Sequence, residues 1–259
     1  MTKLYDLSLT VNNGAVMWPR IVDNVLYGGS GPFPGHSRAN TKRWPLRWRV
    51  GVPSFEGHLH GGTHVDAPIY AIDGGASLDK IPLDNLYGTG VVLDFRKKKK
   101  WDRITAEDFE KATPKIKAGD IVVVNTGWHK YYGPDNYTYF NHYPGMVPSA
   151  ADWLIKKKVK GIAGTWATSD HPLAFNPLKY YAPWLLQEYM DTTGEDPAKE
   201  FPSLEPCLTR LLEAGITCIQ NVGKDVDKVA GKRCTLMAFP FVVERADAGM
   251  TRLVAMVEE

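Results

Sequence analysis

The four residues Ile-Val-Val-Val at positions 121–124 constrain the fold more than any other stretch of the chain. A run of consecutive β-branched residues is typical of a strand that is buried on both faces, as strands are in a parallel sheet. Similar apolar runs cover residues 90–95, 159–163 and 216–222. Helical patterns separate these runs, and the alternation predicts an α/β domain with a mixed sheet and flanking helices.

The helices between the strands have recognisable ends. Thr105 and Asp108 are spaced as in a capping box, which predicts a helix to about residue 112. Ser149 is predicted to cap a second helix, and a third begins at Pro206 and is ended by Gly215. Further strands are predicted over residues 5–11, 46–52, 234–243 and 250–257. No repeat or long linker divides the chain, so residues 1–259 are predicted to form one domain.

Charge and hydropathy exclude several classes of partner. The formal net charge is +2, and the dense basic run at residues 96–100 follows a predicted strand as a solvated loop would, so we expect no nucleic acid partner. No run of about 18 apolar residues exists, so no membrane span is expected. Three cysteines without a Cys-x-x-Cys pair, and an N-terminus without an apolar segment, predict a cytoplasmic protein.

Potential metal ligands are concentrated in residues 55–68, where His58, His60 and His64 precede Asp66. In extended backbone these even-numbered residues would share one face, and the glycines at 61 and 62 allow the chain to bend between them. Two imidazoles and one carboxylate leave open positions for water or substrate, as a catalytic metal site requires. The alternative is a polar loop in which the histidines only form hydrogen bonds. Thr63 could hydrogen-bond a ligand.

The nonapeptide His-Gly-Gly-Thr-His-Val-Asp-Ala-Pro at residues 60–68 resembles the signature of the cyclase family of metal-dependent hydrolases. That family includes bacterial kynurenine formamidases and isatin hydrolases, and its motif is His-x-Gly-Thr-His-x-Asp-x-Pro-x-His. Further similarity follows in order at residues 78–82, 90–95, 126–128 and 215–221. The resemblance implies a swivelling β/β/α fold, a homodimer or homotetramer, and hydrolysis of a carbon–nitrogen bond in a cyclic or formyl amide.

The chain departs from the family's motif at Tyr70, where the motif has its last histidine, a candidate proton-transfer group. A tyrosine with an ordinary pKa of about 10 is a poor base at neutral pH, although it could orient water or donate a proton. The family's kynurenine formamidases hold a second metal with a histidine and a glutamate, and these positions are Leu208 and Gln220 here. A leucine cannot bind a metal, so a two-metal site is not expected.

Glutamine at position 220 is similar to the isatin hydrolase branch, which uses a single metal. The resemblance then implies that His60, His64, Asp66 and Gln220 hold one divalent ion. That branch typically uses manganese, so the resemblance favours Mn²⁺, and these nitrogen and oxygen ligands are compatible with Zn²⁺ as well. The alternative for Gln220 is a core amide whose hydrogen bonds go to the backbone.

Three residues are candidates for moving protons during catalysis. Asp66 could do so through the oxygen that does not bind the metal, and Tyr70 could donate from its hydroxyl. His171 follows a predicted strand end, where α/β proteins place functional groups, and the alternative is a structural histidine paired with Asp170. A substrate pocket for a flat cyclic amide is predicted to use four aromatic residues, Trp18, Phe33, Trp48 and Trp166. The irregular stretch at residues 14–45 would form its lid or wall.

These features predict a metal-dependent hydrolase that cleaves the carbon–nitrogen bond of a cyclic amide, imide or lactam with a metal-activated water. One alternative is an arylformamidase acting on N-formylkynurenine, although Leu208 and Tyr70 oppose it. The other is a non-catalytic, ligand-binding member of the fold, in which the missing histidine at position 70 would signal lost activity.

Overall fold

An eight-stranded sheet that closes on itself is the centre of the molecule. The structure is a computed structural model that describes residues 1–10, 59–174 and 182–258, together with the backbone of two strands at 40–43 and 49–52. In chain order the strands are β1 (Thr2–Asp6), β2 (Asn40–Arg43), β3 (Arg49–Val52), β4 (His64–Asp66), β5 (Tyr87–Asp94), β6 (Arg103–Ile104), β7 (Ile121–Asn125), β8 (Gly145–Met146), β9 (Gly161–Gly164), β10 (Thr217–Gln220), β11 (Arg233–Pro240) and β12 (Ala248–Glu258).

Helices flank this sheet. The described α-helices are α1 (Ala106–Lys111), α2 (Asn136–Asn141), α3 (Pro148–Lys157), α4 (Pro183–Thr193), α5 (Pro197–Glu200), α6 (Pro206–Glu213) and α7 (Val226–Val229). Short 3-10 helices cover Pro68–Tyr70, Leu78–Lys80, Leu83–Asn85 and Trp128–Tyr131. Among the helices that the structure describes, none has the length and apolar character needed to cross a membrane.

The strand order in the sheet is β1-β12-β11-β5-β7-β9-β10-β4, and β12 also pairs with β4, so the sheet closes into a barrel-like ring. Strands β5, β7, β9 and β10 are parallel, whereas β4, β11 and β12 pair antiparallel with their neighbours. The mixed sheet with flanking helices confirms the α/β class expected from the sequence. The strand at 121–124 lies between two parallel neighbours, as its β-branched run predicted.

The two faces of the ring carry separate apolar layers. Val122 and Val124 belong to the layer that also contains Phe109, Leu154 and Leu211 from α1, α3 and α6. The intervening residues of the same strand, and those of β1, β4 and β12, build the second layer, which includes Ile121, Val123, Tyr5, Val65 and Leu253. Because side chains alternate along a strand, the neighbours of Val65 in β4 point to the face that the helices cover. This alternation directs His64 and Asp66 to that face.

Several predicted element ends need correction. The capping box of α1 is present, with the Thr105 backbone N–H donating to Asp108 over 2.8 Å. Ser149 does not cap α3, because that helix begins at Pro148, whose ring fixes φ and whose missing N–H is not needed in the first turn. Strand β1 ends at Asp6, and beyond it Ser8 forms an isolated bridge to Val222. Helices α2, α4, α5 and α7 were not predicted.

Candidate metal centre

Strand β4 brings the predicted ligands into the sheet. It lies between β10 and β12, and Gln220 of β10 stands directly opposite His64. His64 and Asp66 are each 2% exposed, on the face opposite the core residue Val65. The prediction that these side chains share one face of extended backbone is therefore confirmed for His64 and Asp66.

His60 reaches the same place from a turn rather than from the strand. Gly62 has a φ of +57°, in the left-handed region that favours glycine, and it bends the chain between the two histidines. The His60 Nδ1 atom lies 3.1 Å from Asp66 Oδ1, and the His64 Nε2 atom lies 3.2 Å from the same oxygen. One ligand-type atom from each of the three residues fits within 4.8 Å of the others, which is compact enough to hold a metal ion.

A hydrogen bond to the backbone fixes the orientation of the His64 ring. Its Nδ1 atom lies 2.9 Å from the Gly62 carbonyl oxygen, so Nδ1 donates this hydrogen bond and Nε2 is the nitrogen left to bind a metal. Nε2 faces the Asp66 carboxylate, so a cation or a proton between the two atoms would stabilise the arrangement. Asn221 donates from Nδ2 to the same carbonyl oxygen over 2.9 Å, and its own Oδ1 accepts from the Tyr139 hydroxyl over 2.7 Å.

Thr63 holds backbone rather than a ligand side chain. Its hydroxyl donates to the Asn221 carbonyl oxygen over 2.6 Å and accepts from the Leu9 backbone N–H over 2.8 Å. These bonds tie the turn before β4 to the residue after β10. Asn221 has a φ of +57°, which is uncommon for a residue with a side chain. Its side chain makes the hydrogen bonds to Gly62 and Tyr139 from this backbone conformation.

Gln220 connects to the cluster through Asp66. Its Nε2 donates to Asp66 Oδ2 over 2.8 Å, and this orientation is required because a carboxylate oxygen only accepts. Its Oε1 is buried and has no hydrogen-bond partner among the described residues. The amide is therefore not satisfied by backbone within that part of the chain. Gln220 thus offers an unpartnered amide oxygen, which is the kind of ligand atom that suits a hard divalent cation.

The charges at the site favour a cation. Burial alone would raise the pKa of Asp66, but His64 and His60 hold it well below its usual range, so the carboxylate stays ionised. Burial opposes a charge on His60, yet Asp66 and Asp247 raise its pKa to about 9. Asp247, which the sequence did not single out, lies 3.2 Å from His60 Nε2 and is half exposed.

Among the three proton-transfer candidates, Tyr70 lies beside the ligand cluster, and its hydroxyl contacts a second acidic residue, Glu205. The centroids of the Tyr70 and His60 rings lie 4.7 Å apart, and the Tyr70 hydroxyl oxygen lies 3.1 Å from Glu205 Oε2, within hydrogen-bond distance. Asp66 is less suited to move protons than predicted. Its oxygen Oδ2 already accepts the Gln220 amide, and protonating that oxygen would break the bond.

His171 is placed in the core, and its contacts do not support the predicted catalytic role. Its Nε2 donates to the Trp101 carbonyl oxygen over 3.0 Å, and its Nδ1 accepts from the Leu173 N–H over 3.3 Å. The ring stacks on Phe201 with centroids 4.1 Å apart. Burial lowers the pKa of His171 to about 3. With both nitrogens engaged in local bonds, we assign the ring a structural role, and its partner is not Asp170.

Asp170 instead accepts from the backbone of α6, where the N–H groups of Cys207 and Leu208 donate over 2.7 and 2.8 Å. Burial raises the pKa of Asp170 to about 6, against the effect of those bonds. Beside it, Glu205 is 6% exposed, and burial together with Asp170 raises its pKa to about 8. Sequence reasoning missed Glu205, because an acidic residue just before a helix is ordinarily solvated and nothing local signals burial.

The predicted aromatic pocket is only partly described. Trp18, Phe33 and Trp48 lie outside the described residues, and so does His58. Trp166 is fully buried in the helix-covered core layer. Its ring lies so close to Gly164 that a Cβ there would fall 2.2 Å from a ring carbon. These contacts describe Trp166 as a core residue rather than a pocket wall.

Comparison with known proteins identifies the family to which this fold and this ligand cluster belong. The family model described as "Putative cyclase" matches residues 5–170, so the chain belongs to the cyclase family. The isatin hydrolase of Roseibium aggregatum is 28% identical over 214 residues, which cover 76% of this chain and 72% of that protein. This relative supports assignment of the chain as a hydrolase of the family.

Solved structures share the fold. Isatin hydrolase A from Labrenzia aggregata, bound to benzyl benzoate, has a TM-score of 0.71 at 22% identity and covers 100% of this chain and 94% of that one. An isatin hydrolase bound to the product analogue thioisatinate has a TM-score of 0.70 at 20% identity, covering 100% and 93%. A potential metal-dependent hydrolase with cyclase activity has a TM-score of 0.66 at 19% identity, with complete coverage of both chains.

Proposed function

We propose that this chain is a metal-dependent hydrolase that cleaves the carbon–nitrogen bond of a cyclic amide, imide or lactam. The observation that carries the proposal is the convergence of His60 Nδ1 and His64 Nε2 on one oxygen of Asp66. His60, His64, Asp66 and the unpartnered Oε1 of Gln220 would together hold one divalent ion, with Mn²⁺ favoured and Zn²⁺ also suited to these ligands.

A bound divalent ion supplies Lewis-acid chemistry, polarising the amide carbonyl and lowering the pKa of water toward neutrality. The chain's own residues keep the ligands in place. Gln220 holds Asp66 through Oδ2, which leaves Oδ1 directed at the two histidines. The carbonyl of Gly62 fixes the His64 tautomer, and such supporting bonds typically contribute 10- to 100-fold in metal affinity, about 1 to 3 kcal/mol.

Leu208 supports a single ion in each chain. Its side chain is buried in the helix-covered core layer and offers no ligand atom where a second metal would need one. This supports one ion per chain, and with it the isatin hydrolase branch rather than an arylformamidase. The similarity to the Roseibium isatin hydrolase points to a ring amide as substrate. We propose that Trp18, Phe33 and Trp48 line the pocket that binds the ring of the substrate. A cytoplasmic homodimer or homotetramer remains our expectation.

The test combines metal content with substrate assays on the purified full chain. We expect one ion per chain after loading with Mn²⁺ or Zn²⁺, and turnover of isatin or a simple lactam. Two ions with turnover of N-formylkynurenine would replace our proposal with the arylformamidase. A protein that takes up no metal and hydrolyses none of these compounds would be a ligand-binding member of the fold. His129→Ala is a matched control, because His129 pairs with Asp227 and not with the ligand cluster.

A further inference from the structure

Glu205 combines a left-handed backbone conformation with a buried acidic side chain. It precedes Pro206 at the start of α6 with a φ of +39°, a left-handed conformation that is uncommon for a residue other than glycine. Its side chain is 6% exposed although it carries a carboxyl group. Strained backbone and a buried acid are both unfavourable for folding, and such combinations are concentrated at functional sites.

The carboxyl group is joined to the metal site by one residue. Tyr70 contacts the His60 ring, and its hydroxyl lies 3.1 Å from Glu205 Oε2. The Thr168 side chain also lies beside the Glu205 carboxyl group, and its hydrogen bond acts to lower the pKa of Glu205, against the effect of burial. Glu205 is therefore buried among polar groups, and the Tyr70 hydroxyl is its contact toward the ligands.

The surroundings favour the protonated form of Glu205. Burial is the largest cause, and the neighbouring carboxylates Asp170 and Asp66 add to it, so its pKa is raised to about 8. Asp170 takes the backbone N–H groups at the start of α6, which would otherwise stabilise a charge on Glu205. Tyr143 and Cys218 lie near the same acids, and both have a pKa raised well above the usual value, which leaves them neutral as well. Two adjacent carboxyls with separated pKa values are a common arrangement for acid–base work.

We propose that Glu205 supplies, through Tyr70, the proton that the departing nitrogen takes up, at the place where the family's motif has a histidine. This inference rests on the proposed amide hydrolysis. Glu205 acts through Tyr70 and is not itself assigned a contact with substrate.

The step balances in atoms and charge. As the carbon–nitrogen bond breaks, its electron pair stays on nitrogen and takes the Tyr70 hydroxyl proton. The Tyr70 oxygen takes the Glu205 proton in the same step, so tyrosine ends neutral and Glu205 ends as a carboxylate. The water that adds its hydroxyl to the carbonyl carbon releases a proton, and this proton restores Glu205. When Glu205 is already ionised, the Tyr70 hydroxyl donates to it and the relay has no proton to give.

The protonation of Glu205 can be tested without any activity. Infrared difference spectra of the full chain, recorded between pH 5 and pH 9, should show the carbonyl stretch of a buried carboxylic acid that disappears near pH 8, separate from the band of Asp170, which should disappear near pH 6. The band should be absent in Glu205→Gln and retained in Glu213→Gln, an exposed glutamate at the other end of α6. A band that disappears near pH 8 in Glu205→Gln as well, or no such band in the wild type, would overturn the inference even if hydrolysis is demonstrated.

Kinetics test the relay itself. We expect wild-type kcat to fall about tenfold for each pH unit above 8, and Glu205→Gln to lower kcat at pH 7 about 10- to 100-fold with no fall near pH 8. Tyr70→Phe should cause a similar loss, and the double variant no further loss, because the two residues act in series. Equal pH profiles for wild type and Glu205→Gln, or additive losses, would overturn the relay. Wild-type inactivity with an intact infrared band would instead refute the proposed hydrolysis.

Discussion

The raised pKa of the buried Glu205 carboxyl group predicts how the free energy of unfolding depends on pH. Its pKa rises from the ordinary glutamate value of 4.5 to about 8 in the folded chain. Between these two pH values the folded state binds more protons than the unfolded state, so the free energy of unfolding falls as pH rises. Each tenfold change in proton affinity is worth about 1.4 kcal/mol, which places the loss on the order of 4 to 5 kcal/mol across that window.

Glu205→Gln removes this loss, because glutamine stays neutral at every pH in the window. We therefore expect the variant to gain stability over the wild type as pH rises from about 5 to 8, by several kcal/mol at the upper end. Urea unfolding at a series of pH values, with equal slopes against denaturant, measures the difference. Glu213→Gln should follow the wild-type curve. Parallel curves for wild type and Glu205→Gln would refute a buried, protonated Glu205.

Three further substitutions test the site and its support. His64→Ala should abolish metal binding while circular dichroism stays native, and hydrolysis that survives the change would refute the ligand assignment. Asn221→Gly keeps the left-handed backbone but removes the bonds to Gly62 and Tyr139, so we expect about 1 to 3 kcal/mol less stability and weaker metal uptake; unchanged uptake in a metal titration would contradict this. Gly164→Ala places a Cβ against Trp166 and should cost about 1 to 3 kcal/mol in chemical denaturation, more than Gly161→Ala in the same strand, whose nearest contact would be 3.3 Å.

Local patterns in the sequence predict the sheet well. The apolar run at 121–124 and the capping box at Thr105 each depend on neighbouring residues alone, and both are present in the structure. Closure of the ring could not be predicted in this way, because the pairing of β4 with β12 joins residues 64–66 to residues 248–250. No local pattern encodes a contact over that separation.

The same distinction applies to the site. The His-x3-His-x-Asp spacing was sufficient to predict the His60, His64 and Asp66 cluster, since all three lie within one turn and one short strand. Glu205 and Asn221 acquire their roles only through tertiary contacts, with Tyr70 and Gly62 respectively. For His171, the position after a strand suggested chemistry, while the tertiary contacts bury the ring and engage both of its nitrogens.

Strand β4 is three residues long, yet it joins β10 to β12 and closes the ring. The candidate ligands therefore lie where the ring closes. His64 and Asp66 are on β4, and Gln220 is on β10, with which β4 pairs. A chain that folded every other element but left the ring open would have no site. The site therefore exists only when the ring is closed, and a cation bound between β4 and β10 would stabilise the closed ring.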